Sequence, residues 1–170
     1  MDEEKKEEKK EERPITKEER LNEVKNLSKQ ILDKYGKYVK AIVMMGSVAR
    51  EEFKPKSDID VFVVIDDTTN ELSNEELDKL DADIEKMGQK ISEYISVQPI
   101  YTLTEFWDYA RVAHPIIYNF IKEGVPVYDT GFFEPIKNLL NMGRIPATRE
   151  AIENYMEGAP KKLMRANYVY

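Results

Sequence analysis

Asp58-Ile59-Asp60-Val61-Phe62-Val63-Val64-Ile65 carries β-branched and aromatic residues in an unbroken run, with Pro55-Lys56-Ser57 before it and Asp66-Asp67-Thr68-Thr69-Asn70 after it. Such composition between turn-forming clusters predicts a strand, and its apolarity on both faces predicts a central one. Successive strand residues point to opposite faces, so Asp58 and Asp60 share a face with Cα atoms roughly 6.6 Å apart. Two partly desolvated carboxylates at that spacing repel by about 3 kcal/mol at an effective dielectric of 20. A divalent cation removes that cost, and Mg²⁺ suits an all-oxygen site shared with substrate phosphates.

Upstream, Ala41-Ile42-Val43-Met44-Met45 is a second apolar run ending at Gly46, and Ser47-Val48-Ala49-Arg50 reads as the opening of a short helix. Strand, tight turn and helix in that order make a phosphate cradle. Glycine lets backbone N–H groups approach an anion closely, a helix N-terminus favours negative charge, and the Ser47 hydroxyl adds a donor. Arg50, Lys54 and Lys56 lie between the two halves and can pair with phosphate oxygens, Arg50 best of the three through its forked donors. A cradle for phosphates beside a carboxylate pair is what metal-assisted nucleotidyl transfer needs. Read without that chemistry, Gly46 is a plain turn residue, Ser47 an N-cap and the aspartates solvated charges at a strand end.

Gly-Ser, ten residues, then Asp-x-Asp resembles the signature of the nucleotidyltransferase superfamily related to DNA polymerase β, matched here by Gly46, Ser47, Asp58 and Asp60. The words Gly46-Ser47-Val48-Ala49-Arg50 and Ser57-Asp58-Ile59-Asp60 are similar to the minimal, stand-alone prokaryotic branch, whose members include antitoxins paired with HEPN toxins. The resemblance covers about residues 15–130. It implies a polymerase β-like α/β fold, a mixed sheet of four or five strands flanked by helices. It also implies that Gly46 and Ser47 hold the triphosphate while Asp58 and Asp60 hold two Mg²⁺ ions, with Mn²⁺ able to replace them. Arg50 and Lys56 complete the expected nucleotide-binding set, ATP is the expected donor, and a HEPN-type protein is an expected partner.

The chain departs from the family at a third carboxylate, which a later strand normally supplies as metal ligand and base. The candidate strand here is Tyr94-Ile95-Ser96-Val97-Gln98-Pro99-Ile100-Tyr101, with Gln98 where that acid is expected, and an amide cannot take a proton. Glu105 is the nearest acid downstream, but Thr102-Leu103-Thr104-Glu105 reads as a capping box. Two classes therefore stay open: an enzyme moving a nucleoside monophosphate to a hydroxyl acceptor, or a catalytically weak or inactive module that binds nucleotide or a partner.

The chain has 170 residues, 41% of them apolar, which suits one ordinary core. Its formal charge is −7 and remains −5 without the first thirteen residues, so long nucleic acid is not the expected partner. Absence of cysteine, of a long apolar stretch and of a signal peptide leads to the expectation of a soluble cytoplasmic protein with no membrane association.

Residues 1–13 form a Glu/Lys tract expected to be a disordered tail, residues 14–130 the nucleotidyltransferase domain, and residues 131–170 a C-terminal helical extension. Thr16-Lys17-Glu18-Glu19 and Ser73-Asn74-Glu75-Glu76 are capping boxes. The first opens a helix with Leu21, Val24, Leu27, Ile31 and Tyr35 on one stripe, ended by Gly36. The second opens one with Leu77, Leu80, Ile84, Met87 and Ile91 recurring, joining the aspartate strand to the Gln98 strand. His114 before Pro115 reads as a turn or cap residue, residues 116–121 as a helix, and Gly124-Val125-Pro126-Val127-Tyr128-Asp129 as an edge strand, with Tyr128 and Asp129 candidates for base or ribose contacts and Asp129 alternatively a strand-end cap. Beyond Phe132, Ile136, Leu139 and Leu140 suggest a helix, Gly143-Arg144-Ile145-Pro146 a turn, and residues 148–158 another helix. The basic, aromatic end bearing Lys161, Lys162, Arg165, Tyr168 and Tyr170 packs back on the domain or docks a partner or a second copy, giving a homo-oligomer.

Overall fold

The computed structural model describes residues 13–46 and 53–145. The acidic tail, the turn and helix at residues 47–50, and the helix and aromatic end beyond residue 145 fall outside them. The apolar run that follows Asp58 is strand β2 (Ile59–Ile65), as expected, and it lies inside a mixed five-stranded sheet. It pairs antiparallel with β1 (Val39–Gly46), which pairs antiparallel with the edge strand β5 (Val125–Asp129). On its other side β2 pairs in parallel with β3 (Ile95–Val97) at its start and with β4 (Tyr101–Thr102) at its end.

The pleat of β1 and β2 divides the interior in two. Ile42, Met44, Ile59, Val61, Val63 and Ile65 face helices α1 (Lys17–Tyr35) and α2 (Asn74–Ile91), whose Val24, Leu27, Ile31, Leu80 and Ile84 fill the first core. Ala41, Val43 and Val64 face α3 (Leu103–Arg111), α4 (Pro115–Glu123) and α5 (Phe133–Asn141), which contribute Phe106, Ile117, Phe120 and Phe133 to the second. Val39 breaks the parity by lying with Ile42, because the register slips between Val39 and Ala41. Close approach of α2 to the sheet depends on Gly88, whose absent Cβ would meet a methyl of Val97 at 2.6 Å.

Two of the three predicted capping boxes form in full, with Thr16 and Ser73 accepting from the amides of Glu19 and Glu76 and the two glutamates accepting from the Thr16 and Ser73 amides in return. His114 caps α4, its Nδ1 accepting from the Ile116 amide at 3.3 Å. The single strand expected over residues 94–101 is instead two short ones. Pro99 has no amide to donate, and the Ile100 N–H is taken at 3.1 Å by Asp81 of α2. No helix among the described residues is long and apolar enough to cross a membrane.

Asp66 terminates β2 and is buried. Burial pushes its carboxyl up, but hydrogen bonds from the hydroxyls and amides of Thr68 and Thr69 outweigh that and hold it well below the usual carboxylate range. A depressed folded-state pKa contributes stability that is complete above the unfolded value near 3.9 and disappears as pH falls toward the folded one. Asp66→Asn should therefore cost about 1–2 kcal/mol at neutral pH, and the gap from wild type should close below about pH 4. Denaturant unfolding across pH measures this; a gap that persists at low pH would contradict the assignment.

Candidate active site

Asp60 occupies the same face of β2 as Phe62 and Val64, but one pleat beyond the second core, where no helix covers it fully. It is half-buried, while Asp58, just before the strand, is exposed. Burial raises the Asp60 carboxyl, and the neighbouring charge of Asp58 raises it further.

Gly46 closes β1 opposite Ile59 with φ of +111°, a conformation in which L side chains are strained. A Cβ there would lie 2.9 Å from the carbonyl oxygen of Asp58. Two backbone segments that are far apart in the motif therefore touch, and glycine is what permits it. Ser47 and Arg50 lie outside the described residues. Lys56 is exposed two residues before Asp58, on a loop turned by the Ser57 amide donating to the Lys54 carbonyl at 3.1 Å.

Parallel pairing with β3 sets Ser96 beside Asp60 and Val97 beside Val61. Ile95 and Val97 pack toward the first core, so Ser96 and Gln98 share the face of the acids. The Gln98 amide donates to Asp60 Oδ1 at 3.1 Å and to Ser96 Oγ at 3.0 Å, and its backbone N–H extends the ladder to the Val61 carbonyl at 2.9 Å. That side-chain bond opposes the upward shift of Asp60. The other oxygen of Asp60 has no donor among the described residues. Ser96 was legible only as two residues before Gln98 on a strand; nothing in its identity marked it.

Two neighbouring carboxylates, one desolvated and destabilised in its charged form, are hard oxygen donors that fit a divalent cation of the Mg²⁺ type. No group of three aspartate, glutamate, histidine or cysteine side chains suited to a metal occurs among the described residues. Asp129 is elsewhere engaged. Its oxygens accept from the amides of Gly131, Phe132, Phe133 and Glu134, fixing the start of α5. Burial raises its carboxyl and those four bonds outweigh the effect, leaving it below the usual range. The capping reading of Asp129 holds. Thr102 likewise caps α3 through the Glu105 amide at 3.2 Å.

Residues 24–128 match the family model described as "Nucleotidyltransferase domain". The chain is 43% identical over 61 residues to an aminoglycoside nucleotidyltransferase (4') of Staphylococcus aureus, a match covering 36% of this chain and 24% of that protein. An aminoglycoside nucleotidyltransferase (4') from a Bacillus species matches to the same extent, so the chain spans about a quarter of the length of these curated relatives. Among solved structures, a toxin–antitoxin complex with AMP-PNP is similar with a TM-score of 0.45 and 18% identity, covering 78% of this chain and 98% of that one. A spectinomycin adenyltransferase from Enterococcus faecialis, solved with ATP and spectinomycin, gives 0.47 and 17% over 81% of this chain and 68% of that one.

Gly46→Ala should lower stability by about 1–2 kcal/mol through its left-handed backbone, and more because Asp58 must move. Thermal unfolding with amide exchange at Asp58 and Ile59 tests this. Unchanged protection at both amides would show that the contact does not hold the acid.

Proposed function

This chain belongs to the nucleotidyltransferase domain family, and we propose that it transfers a nucleoside monophosphate from ATP to a hydroxyl acceptor in the cytoplasm. The observation that supports this best is the Gly46 backbone lying against Asp58, which joins the cradle and the acid pair into one site. Asp58 and Asp60 would hold the divalent ions, two Mg²⁺ or Mn²⁺ with the nucleotide, which neutralise charge developing on the departing pyrophosphate.

The Gly46 backbone and the Ser47 hydroxyl bind the triphosphate, and Arg50 and Lys56 pair with its oxygens. The acceptor oxygen attacks the α-phosphorus, the bond to the β-phosphate oxygen breaks, and pyrophosphate leaves. Gln98 cannot accept the acceptor's proton, so the proton passes to solvent. Positioning and charge carry most of such a transfer, so turnover survives without a dedicated base. The acidic surface favours an acceptor that is a small molecule or a hydroxyl on a partner protein over long nucleic acid. The words around Gly46 and Asp58 favour a HEPN-type protein as that partner.

A second reading rests on the hydrogen bond from Gln98 to Asp60, which places an amide donor where a base is expected. In it the chain binds nucleotide and partner with little turnover.

Replacing Asp58 and Asp60 together by alanine should abolish Mg²⁺-dependent transfer of label from α-labelled ATP while circular dichroism stays that of the wild type. Transfer that persists would refute the roles of both acids. Gln98→Glu supplies the missing base, and since general bases contribute about 10²–10⁴ in rate, transfer should rise at least about tenfold. Wild-type nucleotide binding without transfer in either protein would favour the binding module.

A further inference from the structure

Arg20 is a cation in the interior, 2% exposed near the start of α1. Its guanidinium donates to Ser92 Oγ at 2.7 Å, to Glu23 Oε2 at 2.7 Å and to the backbone carbonyl of Pro55 at 3.0 Å, and it lies 4.6 Å from the centroid of the Tyr94 ring. Its Nε is buried with no partner among the described residues. A buried charge with an unsatisfied donor is a poor device for stability alone, because an apolar residue of similar size avoids the desolvation. What the arginine accomplishes is connection.

Pro55 begins the four-residue word Pro55-Lys56-Ser57-Asp58, so the guanidinium grips the loop that carries Lys56 and leads into Asp58. The same group holds Ser92, whose Oγ also accepts from the Tyr94 amide at 3.1 Å, and the Tyr94 carbonyl accepts from Ile59 at 2.7 Å. Asp58 is thus bracketed on both sides by segments that meet at one side chain: Pro55 directly and Ile59 through Tyr94. The loop is turned locally by the Ser57 to Lys54 bond, and Phe53 at its start packs against the first core.

We infer that Arg20 is a positioning residue for the phosphate and metal site, a buried clamp that sets where Lys56 and Asp58 stand relative to Asp60. This rests on the nucleotidyltransferase reading above. Groups that orient a ligand without touching the metal are worth about 10–100-fold in affinity.

The test uses the full chain and Mg²⁺·AMP-PNP titrated by calorimetry, with amide exchange read over residues 53–60. Arg20→Met should fold, exchange faster across that loop, and bind at least about tenfold more weakly. Arg20→Lys, which keeps the charge but not the fork, should fall between it and wild type. Ser92→Ala, which cuts the arm through Tyr94 but leaves the Pro55 contact, should fall between Arg20→Met and wild type, and Asp66→Asn, destabilised at the far end of β2, should bind like wild type. Wild-type affinity in Arg20→Met, equal weakening in the Asp66→Asn control, or failure of both Arg20 variants to fold would overturn the inference in favour of a purely structural arginine. Absence of binding by the wild type would instead bring down the nucleotide reading and the clamp's role with it.

Discussion

One strand has to satisfy two demands that conflict. β2 is buried on both sides between helical layers, which requires apolar residues along its length, and it also carries a carboxylate at its second position. The conflict is resolved by place. Phe62 and Val64 are covered by the aromatic residues of the second core, the Phe62 ring tilted against Phe120 at 4.7 Å between centroids, whereas Asp60 lies where that cover ends. It is desolvated enough to disfavour its charge and open enough to receive a counter-ion. Moving it by one residue would put a carboxylate into the first core; moving it by two would set it against Phe120.

Buried ions hold both ends of this strand, in opposite ways. At the far end Asp66 is satisfied locally by two threonines, with the Lys40 ammonium 3.6 Å away, and so it contributes stability. At the near end Arg20 reaches across from α1 and leaves its Nε without a partner among the described residues. Satisfaction costs little where the partners are adjacent in sequence. Reaching two separate segments from a third is a geometric compromise, tolerated where position counts for more than stability.

Much of this was legible before any coordinates. An apolar run ended by Gly46 marked β1, a β-branched and aromatic run between Pro and Asp clusters marked β2, and reciprocal cap residues marked the starts of α1 and α2, because these signals are local. Of the candidate residues that sequence singled out, Gly46 lies against the Asp58 carbonyl, and Gln98 stands beside Asp60 as its place in the chain suggested. What escaped depends on distant partners. Residues 94–101 read as one strand since the loss of the Ile100 amide to Asp81 is visible only once α2 is packed. Arg20 keeps the spacing of the buried stripe with Val24, Leu27 and Ile31, yet its charge argues for solvent. Periodicity was the better guide there than polarity.

The contact between Gly46 and the Asp58 carbonyl has a further consequence for anyone wishing to transplant this chemistry. Because the backbones of two neighbouring strand ends abut, with no room for even one methyl group, the two halves of the motif behave mechanically as a single part. A graft that copies the side chains onto another scaffold would fail unless it also reproduced the antiparallel register of Gly46 with Ile59. The portable unit is the pair of strands.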